Sequence, residues 1–98
     1  MLRVEVEVPP NGTLAQMSRS LEAVVESMRR EPAVTRLVTS EPLALGVEPT
    51  ATGSVELVVA AETLPAYRSD LELEIRTRLN RAFLGQEAAV DESAGGVG

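Results

Sequence analysis

Ser54-Val55-Glu56-Leu57-Val58-Val59-Ala60-Ala61-Glu62 is the stretch that decides the fold, because Leu57 to Ala61 is an unbroken apolar run. Such a run, bounded by charged residues, marks a strand covered on both sides and so the most enclosed place in a sheet. Leu2 to Val8 shows the other strand signature: Leu2, Val4, Val6 and Val8 alternate with Arg3, Glu5 and Glu7. This is a half-buried strand suited to a more exposed position. A further strand is predicted over Leu43 to Glu48, with Leu43, Leu45 and Val47 on one face. Pro49 to Gly53 then supplies the turn residues of a hairpin into the apolar run.

Helical patterns fill the gaps. Pro9-Pro10-Asn11-Gly12 stops the first strand, since two residues lack backbone donors and Asn-Gly accepts positive φ. Thr13 and Gln16 have the spacing of a capping box, in which the two side chains satisfy orphan amides at a helix start. Leu14, Met17, Leu21, Val24, Val25 and Met28 follow at spacings of three and four, the apolar stripe of an amphipathic helix. Arg29 and Arg30 suit its last turn and Glu31-Pro32 should end it. Pro32 can open a short second helix over Ala33 to Val38. A final helix is predicted from Pro65, with Tyr67, Leu71, Ile75, Leu79 and Phe83 on its buried side. Glu72 with Arg76 and Glu74 with Arg78 form i,i+4 pairs outside.

The resulting order, β-α-(short helix)-β-β-α, predicts an α+β, ferredoxin-like unit: a three-stranded sheet of order 1-3-2 with two helices on one face. The domain is expected over residues 1–84. Residues 85–98 are small, acidic and Gly-rich and are expected to form a disordered tail. The first strand becomes an open edge, where another chain could pair. Arg3, Glu5 and Glu7 are the candidate residues of that edge, as charges that blunt it or as an assembly surface.

Composition narrows the function. With 9 basic and 15 acidic residues the net charge is −6, which repels nucleic-acid and lipid phosphates. Aromatic residues make up 2% of the chain, too few for a base-stacking platform. There is no apolar run long enough to span a bilayer. The chain has no His, Cys, Lys or Trp, which removes Ser-His and Cys-His dyads, thiolate chemistry and the commonest transition-metal ligands. Carboxylates do cluster, at Glu5 with Glu7 and at Asp70, Glu72 and Glu74. Two such groups could do acid-base work or hold Ca²⁺. The simpler reading is a solvated face with surface ion pairs. The turn before Thr13 opens a helix N-terminus but lacks any phosphate-loop pattern. No catalytic, cofactor-binding or metal-binding residue is therefore assigned.

Three stretches, in this order, resemble the C-terminal cytoplasmic α/β domain of the MscS-type mechanosensitive channel family. Val6 to Thr13 resembles the family's strand and "V-P-Y-G-T"-type turn into a helix. Glu31-Pro32-Ala33-Val34, continuing through Ser40 to Glu48, is similar to the connecting segment and "E-P-x-x-L-G-V-E" strand. Gly53 to Val59 and the helix Tyr67 to Phe83 resemble the hairpin and the "E-L-x-x-R-I-x-x-A-F" helix. The likeness covers about residues 2 to 84. It departs after the last helix, where Gly85 to Val90 stands in place of the family's "I-x-x-P-F-P"-like strand.

The resemblance implies a non-enzymatic domain on the cytoplasmic side of the bacterial inner membrane. It would contribute to an oligomeric, usually heptameric, vestibule beneath a tension-gated pore. It also implies pore helices and a β-rich domain preceding residue 1 in the parent protein. The fragment alone is expected to be soluble and weakly associated at most, and to take no cofactor, nucleic acid or small-molecule substrate. The competing expectation is a free-standing ferredoxin-like regulatory or ligand-binding module, such as a transporter's cytoplasmic domain.

Overall fold

The computed structural model describes residues 1–85. The tail expected over 85–98 lies outside them except for Gly85. Three strands and three helices follow one another as β1 Leu2–Val8, α1 Leu14–Met28, α2 Pro32–Thr35, β2 Val38–Pro49, β3 Val55–Thr63 and α3 Arg68–Leu84. The sheet order is β1-β3-β2, and β3 runs antiparallel to both neighbours. The α+β, ferredoxin-like arrangement with order 1-3-2 is therefore the observed one.

The central seat of β3 follows from its side chains. Leu57, Val58, Val59, Ala60 and Ala61 are all buried, and a strand apolar on both sides gains most where both neighbours shield it. Val55, Leu57, Val59 and Ala61 join Leu2, Val4, Val6 and Val8 of β1 in the core. Above them, α1 packs on β2 and α3 on β1, bringing in Met17, Leu21, Val25 and Met28 and then Leu71, Ile75 and Leu79. Each such side chain contributes roughly 1.5–3 kcal/mol on leaving water. Among the described residues no polar or charged side chain is buried.

The first helix starts as its sequence predicts. Thr13 Oγ1 accepts from the Gln16 amide at 3.1 Å, and Gln16 Oε1 accepts from the Thr13 amide at 2.8 Å. Gly12, at φ 83°, is required here: a Cβ on it would collide with Gln16 Oε1, the oxygen that closes the box.

Several expectations need correction. Leu14, the first residue of α1, is half-exposed rather than part of the buried stripe. Arg29 is the C-cap of α1 rather than a last-turn residue; its Nε donates to the Pro42 carbonyl at 3.0 Å and ties the helix to β2. The second helix covers Pro32–Thr35, not Ala33 to Val38, since Val38 already belongs to β2. That strand begins five residues before the predicted Leu43 because Thr63 Oγ1 donates to the Leu37 carbonyl and Val38 pairs with Thr63.

The face assignment along β2 is also reversed at two positions. Leu43 pairs with Ala60 and Ala44 with Val59, so Ala44 faces the helices while Leu43 faces away at 53% exposure. A register shift between Ala44 and Gly46 leaves Leu45 as an extra residue, 50% exposed. The bulge returns Val47 to the core side. Gly46, at φ 154°, takes a conformation in that bulge which side chains disfavour. Finally, Pro65–Tyr67 forms a 3-10 turn ahead of α3, and Tyr67 is 41% exposed rather than a packing anchor. Phe83 packs against the core only in part.

Candidate functional site

Among the described residues two features of the sheet are left unsatisfied: its far face, which carries no helix, and the outer edge of β1, which no strand pairs. Arg3, Glu5 and Glu7 belong to both. All three are exposed, and their cross-strand partners on β3 are Ala60, Val58 and Glu56. They lie on the face opposite Leu2, Val4, Val6 and Val8, as the alternation requires.

The far face has an apolar half and an acidic half. Leu43 and Leu45 flank the buried Val58 and Ala60, and a shallow hollow lined by Met1, Leu43 and Ala60 together with Ser40, Glu41 and Glu62 continues from them. At the hairpin end, Glu7 pairs with Glu56 and Glu56 with Glu48, so three carboxylates stand in one row across the sheet. Like charges directly opposite one another are destabilising. Among the described residues no arginine lies within ion-pair distance of any of the three. Glu7 instead accepts from the Thr52 hydroxyl at 3.3 Å.

Arg3 Nε donates to Glu5 Oε2 at 2.7 Å along the strand. This hydrogen bond raises the Arg3 pKa above its ordinary value, aided by the charges of Glu5, Glu48 and Glu56 and opposed by desolvation. Arg3 thus stands as a cation beside the acidic half of this face. The pair is too exposed to add much stability.

The edge itself is guarded by a residue that strand periodicity could not reveal. Arg76, from α3, donates from Nη1 to the Glu5 main-chain carbonyl at 3.0 Å. In an antiparallel ladder alternate residues turn their N–H and C=O away from the partner strand, and Arg76 meets Glu5 on that outward side. Glu72 Oε2 accepts from Arg76 Nε and lies 3.1 Å from Nη2, holding the guanidinium in place. The expected pairs Glu72–Arg76 and Glu74–Arg78 both form, and Arg78 also lies 3.6 Å from Glu31. The paired-carboxylate cluster on α3 is to this extent occupied by arginine.

The described residues include no cluster of three or more Asp or Glu placed to hold a metal ion. No helix among them is long and apolar enough to cross a membrane. Comparison with protein-family models, with curated proteins and with solved structures finds no match for this chain.

Proposed function

We propose that the chain is the C-terminal cytoplasmic domain of an MscS-type mechanosensitive channel. In this reading it is a non-catalytic module in which like copies assemble around the vestibule below the pore. The observation that supports it is the one-sided sheet: helices cover one face, while Leu43 and Leu45 stand about half exposed on the other. An antiparallel sheet can leave one face to solvent, but here that face carries half-exposed leucines beside its charged residues. A domain seated against neighbours buries it, and exposed apolar surface of this kind is what assembly interfaces use.

The stretches that resemble the family occupy β1 with its capped turn into α1, then β2, then the hairpin into β3, then α3. On this reading the domain binds no cofactor, metal ion, nucleic acid or small-molecule substrate. It lies on the cytoplasmic side of the bacterial inner membrane, in rings of seven copies. Two measurements test it. The reading frame upstream of the Met1 codon should encode membrane-spanning helices ending in a segment rich in small residues. Native mass spectrometry of the full-length protein in detergent should give seven copies. A stop codon immediately upstream, or a monomeric full-length protein, overturns the reading.

A further inference from the structure

The described residues leave room for one more strand beside β1. Strands lie about 4.7–4.9 Å apart and a helix with its side chains is about 10–12 Å across, so each helix of a two-layer unit spans about two strands. Here α3 takes its main sheet contact from β1, the outermost strand. The outer half of α3 therefore projects past the sheet edge. Arg76 reaches from that overhang to the Glu5 carbonyl. Ser69, Glu72, Leu73 and Arg76 line a hollow along the same flank, and Leu73 is 66% exposed. By contrast the β2 edge carries Pro42 and Pro49 and several register shifts, devices that spoil pairing. The seven residues of β1 pair with β3 without a register shift and include no proline.

We propose that this slot receives a single extended segment from another polypeptide, antiparallel to β1, with alternating apolar and basic residues. Its apolar side chains would lie on the helix-bearing side of the sheet, extending the layer of Val4 and Val6 towards the flank of α3 that carries Glu72 and Arg76. Its outward side chains would stand beside Glu5 and Glu7 and be basic there, because the far face holds the Glu7–Glu56–Glu48 row and Arg3 is already bonded to Glu5. The incoming main chain would bond the outward groups of Arg3, Glu5 and Glu7, its amide replacing Arg76 on the Glu5 carbonyl. This is strand addition, in which main-chain bonds give affinity and alternate side chains give selectivity.

A second copy of this chain does not fit the slot. Pairing two β1 edges would bring two α3 helices to roughly one strand spacing, about 5 Å, whereas packed helices need about 8–10 Å. Nor does the chain's own continuation suit it. Gln86 to Gly98 offers Val90 and Val97 among glycines and alanines, and it carries Glu87, Asp91 and Glu92 but no basic residue to meet the acidic row. The inference is independent of the channel reading and holds for the domain whatever protein carries it.

The test uses the full chain and a synthetic acetylated peptide of sequence VKVKVEV, whose lysines fall opposite Glu7 and Glu5 and whose glutamate falls opposite Arg3. Binding is read by NMR titration with amide hydrogen exchange. Protection should rise at the amides of Arg3, Glu5 and Glu7. The charge-swapped peptide VEVEVKV should bind on the order of tenfold more weakly, since all three cross-strand charge pairs become repulsive. A VKVKVEV peptide N-methylated along its bonding edge should not bind. The proposal is overturned by no binding at millimolar peptide, by equal affinity for the two charge patterns, or by binding without protection in β1. It is also overturned if the chain alone forms a dimer that protects those same amides.

Discussion

Arg76 and Glu5 lie 71 residues apart in the chain and are joined by a hydrogen bond from the Arg76 guanidinium to the Glu5 main-chain carbonyl, 3.0 Å long. A charge-assisted bond to a backbone acceptor is stronger than a neutral one, yet this one is solvent-exposed, which reduces its value. Arg76→Ala is expected to lower stability by about 1 kcal/mol, measured by urea denaturation. It should also speed hydrogen exchange at the β1 edge. An unchanged midpoint and exchange pattern would show that the contact holds nothing.

The start of α1 depends on Gly12 and Thr13 in different ways. Thr13→Ala removes one capping oxygen and should cost about 1 kcal/mol. Gly12→Ala must place a side chain at φ 83° and displace Gln16 Oε1, so it combines backbone strain with loss of the capping box and should cost more than Thr13→Ala. Thermal denaturation of the two variants side by side gives the order, and the reverse order would contradict the geometry.

Glu56 sits between Glu7 and Glu48. Glu56→Lys turns two opposed like-charge pairs into attractive ones, each worth roughly 0.2–1 kcal/mol in a sheet. The variant is expected to be more stable than the parent at low ionic strength, with the gain shrinking as salt is added. A loss of stability would mean that the row is not opposed in the way its register indicates.

The two faces of β2 and β3 predict unequal costs. Leu57→Ala empties the core between both helices and should cost about 2–5 kcal/mol. Leu43→Ser, on the far face, should stay within about 0.5 kcal/mol. Equal effects in chemical denaturation would place Leu43 in the core after all.

The sheet order was legible because the apolar run of β3 and the alternation of β1 demand different degrees of cover, and only one order supplies both. The capping box and the Glu72–Arg76 and Glu74–Arg78 pairs were legible because they are local, three or four residues apart. What failed was β2. Its alternation predicts Leu43, Leu45 and Val47 on one face, but the Leu45 bulge breaks the period of two between Ala44 and Gly46, with Gly46 the only local hint. Tyr67 was misread because Pro65 opens a 3-10 turn, whose three-residue period takes it off the stripe of α3. Of the edge residues, Arg3, Glu5 and Glu7 were found by alternation. Arg76 was not, because its bond to Glu5 exists only once α3 is laid on β1.

The most direct test of the central claim is patch-clamp recording from liposomes holding the full-length protein that carries this domain. The account predicts a conductance that opens as membrane tension rises and closes when it is released. Silent membranes up to the tension at which they rupture, with the protein shown to be inserted, would contradict it.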